Sequence, residues 1–217
     1  MAAIDFFDRG WSISPSKVAY RSADEVWTYE DAGRLSCRIA NRLLAEPGEG
    51  KTTVAILSPN SPKAWICVLG TWRADCPWVP LNPGNPPAEN AALITRFGVD
   101  VLIYHPQLAG MVDEIKEISG CVAPRMIGLG PGATDPDLDA WTADAPDSVP
   151  DLIHDPEAVV MLSPTGGTTG EPKGVMNTNR NIGVMVAHQM MALQYEREGE
   201  AITLAAAPMT HTAGMFS

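Results

Sequence analysis

Short apolar runs alternate with longer segments whose apolar residues recur at helical spacing, along most of the chain. Lys17–Arg21 and Val26–Tyr29 read as the arms of a hairpin around Ser22-Ala23-Asp24-Glu25. From Asp31 to Leu44, Leu35, Ile39 and Leu43 form one stripe, which predicts a helix stopped by Pro47-Gly48. Thr53–Leu57 reads as a strand, and Ser58-Pro59-Asn60-Ser61-Pro62 as the start of a helix over Lys63–Arg73. That helix is apolar on most sides, so it is expected between layers. Trp78–Leu81, Asp100–Tyr104 and Arg125–Leu129 follow as strands, with Glu89–Phe97 and Leu108–Ile118 as the helices between them. Gly130–Pro156 is rich in Pro, Gly, Ala and Asp with little periodicity, and reads as a surface connection. Ala158–Leu162 is the next strand. Asn179–Tyr195 is a helix with Ile182, Val186, Met190 and Leu193 on one face, and Ala201–Ala207 a compact, buried-looking strand.

This alternation predicts the α/β class: a layered, largely parallel β-sheet flanked by helices. It divides the chain into an α/β subdomain over residues 1–129, a connection over 130–156, and a strand, loop, helix and strand over 157–217. Such sheets bind ligands in loops at the carboxyl ends of their strands. Two loops with unusual composition sit there: one after Ala158–Leu162, the other at Met209–Gly214.

Composition removes some classes of function. The formal charge of −11 over 217 residues argues against nucleic acid, whose phosphates demand a basic face, and disfavours anionic membranes. An acidic protein can still hold a nucleotide through Mg²⁺ and local dipoles. Cys37, Cys67, Cys76 and Cys121 show no metal-like spacing and read as buried free thiols. No signal peptide and no run long enough for a membrane span is visible, so the expected location is cytoplasmic. His188 and the group Met185, Met190 and Met191 read as structural, the methionines as core filling.

The candidate chemistry lies in Ser163-Pro164-Thr165-Gly166-Gly167-Thr168-Thr169-Gly170-Glu171-Pro172-Lys173-Gly174-Val175. Glycines let a backbone approach a ligand closely, Thr165, Thr168 and Thr169 bring hydroxyl donors, and Lys173 brings a mobile charge. The combination suits a nucleotide phosphate chain. It is not a Walker loop, because Glu171 and Pro172 separate Gly170 from Lys173 and Gly174 stands where Ser or Thr is needed. The dinucleotide spacing G-x-G-x-x-G is also absent.

In order, the string resembles the phosphate-binding signature of the adenylate-forming superfamily, which holds acyl- and aryl-CoA synthetases, peptide-synthetase adenylation domains and luciferases. Weaker matches flank it in the expected sequence. Trp27-Thr28-Tyr29-Glu30-Asp31 resembles an early T-Y-x-E/D-L segment, with Ala32 in place of leucine. Gly70 to Pro83 resembles G-x-x-x-x-P-L-N/D-P, and Pro208-Met209-Thr210-His211-Thr212-Ala213-Gly214 resembles P-x-x-H-x-x-G.

The resemblance implies two-step activation of a small-molecule carboxylic acid by ATP with Mg²⁺, then thioester formation with coenzyme A. It assigns Thr165, Gly166, Gly167, Thr168, Thr169, Gly170 and Lys173 to the ATP phosphates, Lys173 in the catalytic role, with Gly174 allowing close approach. It places His211 beside the acyl pocket and the path of the thiol. Alternatives stay open: an enzyme that loads a carrier protein, or a non-catalytic binding fragment. Oligomeric state and the identity of the acid are not encoded legibly. The resemblance also implies that magnesium-, ribose- and carboxylate-binding residues lie in further chain, so the expectation is an N-terminal piece of the large AMP-binding domain, inactive alone.

Overall fold

A six-stranded sheet runs through the middle of the computed structural model, which describes residues 2–46, 50–118, 120–121, 123–165, 173–192 and 202–211. In chain order the elements are α1 (Asp5–Ile13), β1 (Val18–Arg21), β2 (Val26–Thr28), α2 (Tyr29–Leu44), β3 (Val54–Leu57), α3 (Pro62–Arg73), β4 (Trp78–Leu81) and α4 (Pro87–Phe97). There follow β5 (Val101–Tyr104), a 3-10 turn at Pro106–Leu108, α5 (Ala109–Glu117), β6 (Arg125–Gly128), α6 (Leu138–Trp141), β7 (Val159–Thr165), β8 (Lys173–Thr178) and α7 (Asn179–Ala192). Strand order is β6-β5-β3-β4-β7-β8, all parallel except β8, which pairs antiparallel with β7; β1 and β2 form a separate hairpin.

The expected largely parallel sheet is present, for the reason the apolar runs suggested. Strands covered on both faces need side chains that can be buried on both. Every residue of β3, β4 and β5 is buried, and alternate side chains feed two cores. Val54, Ile56, Val101 and Ile103 face one layer with α2 and α3, whereas Ala55, Leu57, Leu102 and Tyr104 face the other with α4 and α5. No helix among the described residues is long and apolar enough to cross a membrane.

Local chemistry sets the helix starts. Thr28 caps α2 through a reciprocal box: its hydroxyl accepts from the Asp31 N–H, and the Asp31 carboxylate accepts from the Thr28 N–H. Part of the Trp27–Asp31 resemblance is therefore a helix start. Ser61 caps α3, with Pro62 in the first turn. α3 packs closely on α2 at Gly70, where a Cβ would come within 2.6 Å of the Ile39 side chain and 3.1 Å of the Ser36 carbonyl. Trp65, Trp72 and Trp78 form an edge-to-face cluster, with centroids 5.6–6.2 Å apart, between α3 and β4.

Several expectations are corrected. Residues 202–207 form no strand: Ile202 and Leu204 are 90 % and 85 % exposed, and no ladder partner exists among the described residues. An extended run becomes a strand only when a neighbour takes its N–H and C=O groups. Here the Asn60 amide takes the Ala205 and Ala207 carbonyls instead. Met185 packs on the core, but Met190 and Met191 are exposed, because the end of α7 has no described element over it. The connection after Gly130 contains α6, which buries Leu138, and the capping Thr142 after it is buried too. α1 and β8 are elements the hydrophobic pattern did not announce. Cys37, Cys67 and Cys76 are buried free thiols as expected, whereas Cys121 is partly exposed. Burial pushes the Cys67 thiol up to about 12 and the Cys76 thiol to about 11, which makes both poor nucleophiles.

Candidate functional site

β7 and β8 form the arm that carries the Gly/Thr loop. Their register runs from Met161↔Asn177 to Thr165↔Lys173, so Thr165 and Lys173 face each other where the described part of the arm ends. The Thr165 hydroxyl donates to the Lys173 carbonyl at 3.2 Å, closing that last rung. As placed, this hydroxyl serves the hairpin, and it would have to rotate to donate to a phosphate. Gly166, Gly167, Thr168, Thr169 and Gly170 lie outside the described residues. Lys173 is exposed, and no carboxylate among the described residues pairs with it.

Gly174 has a packing role. A Cβ there would meet the Phe97 ring at 2.6 Å, so the missing side chain lets β8 lie against the end of α4. The glycine expected to admit a phosphate is used by the scaffold. The inner end of the arm is held by the sheet, since β7 joins β4 through Trp78↔Met161 and the Trp72 indole donates to the Val160 carbonyl at 3.1 Å.

The second loop reaches the same end of the sheet by another route. Asn60 follows the carboxyl end of β3, and its side chain makes three hydrogen bonds to one segment. Its amide donates to Ala205 and Ala207 at 3.1 and 2.8 Å, and its carbonyl accepts from the Met209 N–H at 2.7 Å. His211 closes the turn with its backbone N–H on the Pro208 carbonyl, and it is exposed. Asn60 was not singled out from the sequence; the Ser-Pro-Asn-Ser-Pro run marks a turn but not its partner.

Beneath the arm lies a buried polar centre that spacing did not reveal. Asp75 follows α3 with φ +51°, a conformation non-glycine residues rarely adopt. Its carboxylate is 1 % exposed and fully engaged. Oδ1 accepts from His154 Nδ1 at 2.7 Å and from the Asn179 amide at 2.9 Å, while Oδ2 accepts from the Asp155 N–H at 3.0 Å. Lys51 stands 3.5 Å from Oδ2. Burial pushes the Asp75 carboxyl upward, but the bonds from His154, Asn179 and the Asp155 amide outweigh it and hold it at about 2.

A folded-state value below the unfolded 3.8 contributes stability above that pH, lost as pH falls through about 2. The size is about 2 kcal/mol. Denaturant unfolding between about pH 5 and pH 2 should therefore show a falling limb that Asp75→Asn flattens. An unchanged limb in the variant would assign it to other carboxylates.

Among the described residues no three His, Cys, Asp or Glu side chains converge as a cation site, so they do not by themselves fit a bound Mg²⁺.

A family model described as "AMP-binding enzyme" matches residues 7–217. The chain is 30% identical over 205 residues to feruloyl-CoA synthase from Amycolatopsis sp, covering 94% of this chain and 38% of that protein. It is 26% identical over 200 residues to bacitracin synthase 2 from Bacillus licheniformis, covering 92% of this chain and 7% of that protein. Among solved structures, a red-emitting luciferase from Phrixothrix hirtus superposes with a TM-score of 0.82 at 18% identity, over 99% of this chain and 43% of that one. That likeness concerns the fold. The chain thus spans about two fifths of the length of the first of these relatives.

Proposed function

The chain belongs to the AMP-binding enzyme family, and from that premise we propose that it is the loop-bearing part of an enzyme that activates a carboxylic acid with ATP and passes the acyl group to coenzyme A. A substrate carboxylate oxygen attacks the α-phosphorus, and the bond to the bridging oxygen of pyrophosphate breaks. The products are an acyl-adenylate and pyrophosphate. A thiolate then attacks the activated carbonyl and expels AMP. The first step displaces a multiply charged leaving group, so positioning and charge stabilisation should dominate its catalysis.

The observation that carries this reading is the Thr165–Lys173 rung at the end of β7 and β8. It brings the two ends of the Gly/Thr loop together beyond a parallel strand and leaves the lysine exposed. On this reading Gly166, Gly167, Thr168, Thr169 and Gly170 cradle the β- and γ-phosphates, with Thr165 at their base. Lys173 follows the charge that develops on the departing pyrophosphate. His211, held beneath Asn60 through the Ala205–Met209 backbone, would border the acyl pocket. ATP, Mg²⁺ and coenzyme A are then ligands of the complete protein.

Similarity to feruloyl-CoA synthase supports coenzyme A as acceptor, and similarity to bacitracin synthase 2 supports a carrier protein as the second reading. A panel of aliphatic and aromatic acids, offered to the complete gene product with and without coenzyme A, separates them. Acid-dependent ATP–pyrophosphate exchange is expected without coenzyme A, and a thioester only with it. Exchange without a thioester would favour the carrier protein. Orthophosphate in place of pyrophosphate would remove the adenylation reading.

A further inference from the structure

The buried centre at Asp75 joins parts of the chain that have no sequence proximity. Its acceptors hold His154 and the Asp155 N–H from the connection entering β7, and the Asn179 amide at the start of α7. Asn179 also donates to the Asp155 carbonyl at 3.0 Å and accepts from the Ala3 N–H at 3.1 Å. The Asn179 N–H meets the Ala158 carbonyl at 3.0 Å. The strand entering the arm and the helix leaving it are therefore pinned together at one carboxylate. Immediately above that point the β7–β8 register shifts, between Val159 and Met161.

Register matters because a slip of one residue turns every side chain of a strand to the other face. Lys173 opposes Thr165 only because the rungs between them are counted from the pinned end. β8 is an exposed edge strand, so its outer side supplies little to fix the count. We propose that Asp75 is a positioning residue for the phosphate loop: through Asn179 and the Asp155 N–H it locks the base of the β7–β8 arm and so fixes where Lys173 stands. The role assigned to Lys173 rests on the function proposed above, whereas the locking of the arm does not. Asp75 also accepts a left-handed backbone to reach this place, and asparagine tolerates that backbone well. Asp75→Asn therefore keeps shape and φ while replacing one acceptor oxygen by a donor. Turned toward Oδ2, the new amide opposes the Asp155 N–H and Lys51; turned toward Oδ1, it opposes the Asn179 amide.

The test uses the complete gene product, with amide hydrogen exchange read over residues 173–182 and KM measured separately for ATP and for the acid. In Asp75→Asn, exchange over that stretch should accelerate about tenfold and the KM for ATP should rise about tenfold, with the KM for the acid unchanged. His154 is half-buried, which makes His154→Ala a milder second variant if Asp75→Asn does not fold. It should shift both readouts in the same direction, and His154→Asn, whose amide can occupy the Nδ1 position, should restore them. Unchanged exchange over 173–182 in the folded Asp75 or His154 variant overturns the locking, whatever the loop binds. Faster exchange with an unchanged KM for ATP, in an enzyme that Lys173→Ala does impair, overturns the positioning role. If Lys173→Ala has no effect on ATP use, the loop assignment fails with that variant, and exchange alone decides whether Asp75 locks the arm.

Discussion

Replacing Lys173 by alanine should cut acid-dependent ATP–pyrophosphate exchange about a hundredfold in the complete gene product, the usual size for losing one preorganised stabiliser of transition-state charge. The KM for the carboxylic acid should stay within about twofold, because a lysine on the β- and γ-phosphates of the nucleotide does not touch the acid. A hundredfold loss corresponds to about 2.7 kcal/mol. An exposed ammonium reaches that size only if the bound nucleotide excludes water around it, since two charges in open solvent attract by about 1 kcal/mol at contact distance. Thr165→Val offers the contrast. It removes the hydroxyl that closes the last rung of the arm and should weaken exchange less, because the backbone register survives. Unchanged exchange in Lys173→Ala would strip that residue of its role.

The parallel strands were legible because burial on both faces demands continuous apolar runs, and Val54–Leu57 and Val101–Tyr104 have them. The Gly/Thr motif was legible because its residues are adjacent in sequence. β8 was not. Lys173-Gly174-Val175-Met176-Asn177-Thr178 has no buried face to impose alternation, and it is a strand only because β7 supplies its ladder. Residues 202–207 differ the opposite way, with strand-like composition but no ladder partner among the described residues. Asp75, His154 and Asn179 carry no signature, since the fold alone brings them within hydrogen-bonding distance. Glycine shows the same limit: Gly174 matches a phosphate motif, yet its Cβ position is filled by the Phe97 ring.

The largest stability effect is expected at the last residue of α3, where Arg73 is 1 % exposed and pairs with Asp8 on α1. The two terminal guanidinium nitrogens donate to that carboxylate, at 2.9 and 2.5 Å; Nε donates to the Ser36 hydroxyl, and the Trp11 ring centre lies 5.7 Å from the guanidinium carbon. Asp8→Ala leaves the buried cation with one neutral acceptor and an aromatic face. Breaking such a pair from one side costs about 3–5 kcal/mol, and the lower end applies here because the Asp8 side chain is one-third exposed. The unfolding midpoint should fall by about 6–12 °C. Arg73→Met together with Asp8→Leu removes the charge and its partner at once, and should recover most of the loss, because no ion is then stranded. The pair would thus contribute little net stability over an apolar substitute, while fixing where α1 docks on α3. Calorimetry of Asp8→Ala and of the double variant decides it. A double variant no more stable than Asp8→Ala would mean that the stranded charge is not what destabilises the single variant.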